Sequence, residues 1–186
     1  MYGRMFLKTY LDVPVSVDSF KATFSWEPER CFGGLGERTR EEGERLLAEA
    51  GLAGFNVRRA PSGPDGETAP GRAHLQLGGM LVHENLVSVP VELRMEGPGG
   101  FPSLIGTIDA AWLGPERAYL SLSLQYDIAS HLLDRTVERT VYNRVVEVVV
   151  QHFLANVVNC LCVSCGKVVP SAAGATPSAA SHGSIG

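Results

Sequence analysis

Residues Ser130–Cys160 read SHLLDRTVERTVYNRVVEVVVQHFLANVVNC. Apolar residues recur at helical spacing in two adjacent rows. One row is Leu133, Val137, Val141, Val145 and Val148; the other is Tyr142, Val146, Val149, Phe153 and Val157. Asp134, Glu138, Asn143, Glu147 and Gln151 fall on the remaining side. The spacing predicts one long amphipathic helix with a wide apolar face. About thirty residues at 1.5 Å each span roughly 45 Å, enough to cross a small sheet. β-branched valines dominate its middle, and intrinsic helix preference does not favour them. Such a helix takes its stability from packing, so the rest of the chain has to supply a large apolar partner.

The elements upstream describe that partner. Met5–Val17 reads as a strand, with Pro14 near its end. Ser16 or Asp18 can cap a short helix from Ser19 to about Trp26. After the expected loop CFGGLG (residues 31–36), Glu37–Ala50 reads as a second helix closed by Gly51, its faces charged and solvated apart from an edge of Leu46, Leu47 and Ala50. Phe55–Arg59 reads as a short edge strand, and Ala60–Gly71 as a loop by its proline and glycine content. Strands follow in quick succession: Ala73–Leu81, with a bend at Gly78-Gly79; Asn85–Glu96, alternating Val87, Val89, Val91, Leu93 and Met95 against polar positions; Ser103–Leu113; and Ala118–Tyr126. Short turns between sequential strands argue for an antiparallel meander with one buried and one wet face. The fold class is therefore α+β, a curved sheet with helices on one side and the long helix last.

Composition narrows the function. With 45% hydrophobic residues in 186, the chain can build a core. A net charge of −4 with interspersed signs leaves no basic face for nucleic acid and no polybasic segment for a membrane surface. No signal peptide is legible at the N-terminus, and apolar runs fall short of the roughly 20 residues of a membrane span, so stable membrane insertion is not expected. Four cysteines, three of them crowded at Cys160, Cys162 and Cys165, do not suggest a disulfide framework, and a soluble cytoplasmic protein, monomer or dimer, is expected. The domain is expected over residues 1–165, with residues 166–186 a disordered low-complexity tail.

The runs GGMLVHENLVSVPVELRME (78–96), FPSLIGTIDAAWLGPERAYLSLSLQYD (101–127) and LLDRTVERTVYNRVVEVVVQHFL (132–154), in that order, resemble the SRPBCC superfamily, and its short bacterial members most. This is the helix-grip fold of START domains and birch-pollen-allergen-like proteins. The resemblance spans roughly Phe6 to Leu161. It implies a sheet wrapped around the last helix and a small hydrophobic ligand, such as a lipid or polyketide, between them. A minority of such domains are polyketide aromatases, cyclases or hydrolases. No motif of those enzymes can be carried over, so no catalytic residue is assigned.

A curled sheet and a straight helix do not fit flush everywhere. The gap is either filled by side chains or left as a cavity. Inward-facing Leu77, Val89, Val91, Ile108, Trp112, Leu122 and Leu124, with Tyr142, Val146 and Val149 from the helix, are the candidate lining. Trp112 and Tyr142 carry polar tips that can orient a ligand. Alternation sends Glu92 and Arg94 toward water, and Asp109 sits in a strand. His74 and His83 flank the bend; His131 and His152 lie in the helix, with His152 read as a satisfied core histidine. The cluster CLCVSC (160–165) offers one set of thiols where a structural zinc site wants two pairs, and the glycines of CFGGLG do not follow a strand–turn–helix unit. Neither a metal nor any other cofactor is expected.

Overall fold

The computed structural model describes residues 3–26, 28–52, 71–97, 99–128 and 135–166. Its elements are β1 (Gly3–Val13), α1 (Val17–Trp26), α2 (Pro28–Phe32), α3 (Leu35–Glu49), β2 (Arg72–Leu77), β3 (Leu81–Val82), β4 (Leu86–Glu96), β5 (Leu104–Gly114), β6 (Arg117–Ile128) and α4 (Thr136–Ser164). The expected strand at Phe55–Arg59, most of the loop at Ala60–Gly71 and the tail after Gly166 lie outside the described residues.

The six strands form one antiparallel sheet in the order β1-β6-β5-β4-β2, with β3 on β4. The first strand closes against the last, from Gly3↔Ile128 to Val13↔Ala118. One face carries the core: Val87, Val89, Val91 and Leu93 of β4, Leu104, Ile108 and Ala110 of β5, and Ala118, Leu120, Leu122, Leu124, Tyr126 and Ile128 of β6. Helix α4 runs along this face. The architecture is the helix-grip α+β fold expected from the sequence.

Three local details depart from expectation. β1 ends at Val13, and Ser16 takes the capping role, its hydroxyl accepting from the Ser19 N–H at 3.1 Å. An additional short helix, α2, occupies Pro28–Phe32, where proline is tolerated in the first turn. The expected six-residue loop therefore shrinks to Gly33-Gly34, with Gly34 left-handed at φ 67°. Helix α3 is also less solvated than its charges suggested. The Ala73 N–H donates to Glu37 at 2.9 Å, and the Gly100 and Phe101 N–H groups donate to Glu44 at 3.0 Å each. Glu37 and Glu44 stand two turns apart on one face, so the pair ties α3 to β2 and to the β4–β5 connection.

The long helix starts and stops later than expected, at Thr136 and Ser164; residues 129–134 lie outside the described set. Left-handed Gly166 follows its end. The row Tyr142, Val146, Val149, Phe153 and Val157 is buried. In the other row Val137 is 72% exposed and Val141, Val145 and Val148 are half-buried. The asymmetry has a structural cause. The second half of α4, where Val150, Leu154, Val158, Leu161 and Cys162 are also buried, carries further apolar positions that α1, α2 and α3 help to cover. The first half is buried on a narrower stripe.

Cys31 and Cys160 form a disulfide, with Cα atoms 5.4 Å apart. This corrects the expectation that the cysteines form no bridge. A separation of 129 residues in sequence concealed the proximity of α2 to the last third of α4. Among the described residues no group of three or more His, Cys, Asp or Glu side chains is placed to hold a metal ion.

Candidate functional site

The alternation of β4, β5 and β6 decides which side chains meet α4. Eight of the ten candidate residues are buried where the pattern put them: Val89, Val91, Ile108, Leu122 and Leu124 on the sheet, and Tyr142, Val146 and Val149 on the helix. Leu77 is half-buried at the edge of the same face. Trp112 is a correction. It is 56% exposed, at the end of β5 beside a register shift between Trp112 and Gly114. Its pairing with Ala118 keeps it in register with Ile108 and Ala110, so alternation holds, but at this end of β5 the indole is not covered.

The candidates differ in how tightly they are enclosed. Ile108, Leu122, Tyr142 and Val146 have no surface that a water-sized sphere can reach. They are packed core in this conformation, and no void borders them. The neighbouring cross-strand row is looser. It runs Leu77↔Val91↔Gly106↔Leu124↔Leu7 across five strands. Val91 and Leu124 keep 4% and 6% exposure, and Leu7 and Leu77 are half-buried. Gly106 stands where alternation calls for an inward side chain and adds none to the row; the place its Cβ would take is filled by the Ser123 backbone of β6. Sequence reading passed over it; a glycine inside the strand LIGTID was the available signal.

The polar groups at this interior are few. Among the described residues Thr39 and Ser121 are the buried polar side chains apart from tyrosines. The Tyr142 hydroxyl donates to the Gly100 carbonyl at 3.0 Å, so its polar tip is already engaged. Tyr126, which the candidate set omitted, donates to Asn143 Oδ1 at 3.0 Å. Burial pushes the Tyr126 phenol up to about 12 from 10, with the Glu147 carboxylate adding to the rise. Glu92 and Arg94 pair with each other at 2.8 Å on the wet side, as alternation predicted. His74 is exposed and lies 3.3 Å from Glu96, and His83 is also exposed. His131 lies outside the described residues. His152 is not a core histidine: its side chain is 57% exposed and its Nδ1 lies 3.3 Å from Glu42 Oε1. The helical period of α4 turns it toward α3 instead of the sheet.

No protein-family model matches this chain, and no curated protein does. Solved structures do. Norcoclaurine synthase from Thalictrum flavum matches at 15% identity and a TM-score of 0.35, over 78% of this chain and 88% of its own. The Zhui aromatase/cyclase of a Streptomyces species matches at 13% identity and a TM-score of 0.40, over 89% and 100%. A protein of Rhizobium loti matches at 10% identity and a TM-score of 0.34, over 80% and 99%. The fold assignment rests on strand order, register and the seat of α4.

Proposed function

We propose that this chain binds a small hydrophobic molecule, a lipid or polyketide in class, between the sheet and α4. One observation supports the reading: the inward row of Leu77, Val91, Leu124 and Leu7 is apolar and less tightly enclosed than the row behind it. Met5, Leu7 and Leu11 of β1 and Val141 and Val145 of α4 are partly buried apolar side chains packed against the core. The seam between β1 and the first half of α4 is the proposed entrance. Val91, Leu124 and Leu77 border the ligand in this reading. Ile108, Leu122, Tyr142 and Val146 form the wall behind, and Val89 and Val149 support it. The setting in this reading is that of a soluble binding protein whose Cys31–Cys160 bridge is formed.

The test is native mass spectrometry of the purified protein with organic extraction of whatever it carries, followed by uptake of a fluorescent fatty acid. The expected outcome is extractable apolar mass and saturable uptake. Val91→Phe, which adds bulk to this row, should abolish uptake while the circular dichroism spectrum of the folded chain stays close to the parent and the melt falls by no more than overpacking explains. Absence of both co-purified mass and uptake would sink the proposal. So would a Val91→Phe variant that takes up the probe like the parent.

A further inference from the structure

A concavity of about 390 Å³ lies between α3 and α4, and none of its lining residues belongs to a strand. That volume is at the small end of ligand pockets, which run roughly 300–1,000 Å³. Helical spacing builds it. Arg38 and Glu42 are four residues apart on α3; Val149, His152, Phe153 and Asn156 recur at three- and four-residue steps on α4. Val149 and Phe153 are buried and supply an apolar floor. Arg38, His152 and Asn156 are exposed and supply a rim of nitrogen donors.

The charges of this groove are not symmetrical. Arg45 grips Glu42 through Nε at 3.2 Å and Nη2 at 2.9 Å. The Arg45 guanidinium, ahead of the nearby His152, holds the Glu42 carboxyl below its ordinary range. Glu42 thus stays ionised, its charge met by Arg45, and its other contact is His152 Nδ1 at 3.3 Å. Arg38, by contrast, has no carboxylate partner among the described residues. An unopposed guanidinium over an apolar floor selects an anion with an apolar body.

We propose that the α3–α4 groove binds a small carboxylate carrying an aryl or short alkyl body, the carboxylate held by Arg38 and Asn156 and the body lying on Phe153 and Val149. The groove shares Val149 with the sheet–α4 interior, and its other lining residues lie outside the set proposed there. Inorganic phosphate satisfies the guanidinium but leaves the floor uncovered, so it should bind more weakly.

The experiment is a titration of the isotopically labelled full chain with phenylacetate, followed by amide chemical shifts, with inorganic phosphate as the control anion. Saturable shifts confined to amides of α3 and the middle of α4 are expected. Arg38→Gln, an exposed change with no packing consequence, should weaken binding about tenfold, the effect of losing one charge-assisted contact. Phenylacetate shifts that do not saturate overturn the proposal. It also falls if the shifts appear on the sheet, persist unchanged in Arg38→Gln, or are matched by phosphate at equal concentration.

Discussion

Gly106 carries more consequence than any neighbouring residue of β5, because it lets β6 approach closer than a side chain would allow. A Cβ added there would meet the Ser123 carbonyl oxygen at 1.8 Å and its carbon at 2.8 Å. Both are backbone atoms of the paired strand β6, so no side chain can yield. Gly106→Ala should lower stability by roughly 2 kcal/mol or more, read as a fall in the urea midpoint at unchanged slope. Gly79, with nothing within 4 Å of its added Cβ and an ordinary backbone angle, is the matched control and should tolerate alanine. Equal midpoints for the two variants would remove the claim of close strand approach. Tyr126 gives a second residue-scale test. Its phenol ionises at about 12 in the folded chain and near 10 when unfolded. A raised native value means that its contribution to stability is whole below pH 10 and is lost as the pH rises toward 12. Absorbance at 295 nm should show a late tyrosine component that Tyr126→Phe diminishes, and the same variant should flatten the alkaline fall in stability.

The elements show which sequence signals carry structural information and which do not. The alternation in β4 and β6 was legible because one face of the sheet is dry and the other wet, and a one-residue slip would reverse every side chain. The long helix was legible for the same reason, in its Tyr142–Val157 row. The second row was misleading: Val137 has the right spacing but lies beyond the reach of the sheet. Periodicity reports which residues share a face, not how far the partner extends along it. Trp112 failed at the end of its strand, where an inward position is no longer covered, and α2 failed by its length, a turn and a half carrying too few residues for a period. The helix therefore predicts a sharp contrast between two positions. Val146→Asp puts a carboxylate where no water reaches and no partner waits, which costs several kcal/mol or more and should leave the chain unfolded at room temperature. Val137→Asp, nine residues earlier on the exposed flank, should melt within a degree or two of the parent. Thermal circular dichroism distinguishes them, and indistinguishable melts would mean that the Val146 face of α4 is not interior.

At the scale of the whole molecule, α4 is the one described helix long and apolar enough to cross a membrane by length and composition. Yet 56% of its most apolar window is buried inside the domain, against the sheet and the other helices. What fastens it there was not legible, because a cysteine's partner is set by the fold and not by its position in the chain. The Cys31–Cys160 bridge joins α2, near the start, to the last third of α4, and closes a loop of 129 residues. In the chain-entropy account, closing a loop of that length restricts the unfolded chain by about 5 kcal/mol, though measured gains often fall below it. The oxidised protein should therefore unfold at a clearly higher temperature than the same protein kept in a thiol reductant. Cys31→Ser should melt like the reduced form and not respond to reductant. Thiol counting after denaturation fixes the chemistry beforehand: of the four cysteines, two should react in the oxidised chain and four after reduction. Cys162 and Cys165 supply the two free thiols in both states, so a count of zero would point to a second bridge. A count of four without reductant, or equal melting temperatures in the two states, would mean that α2 and α4 are held together by packing alone.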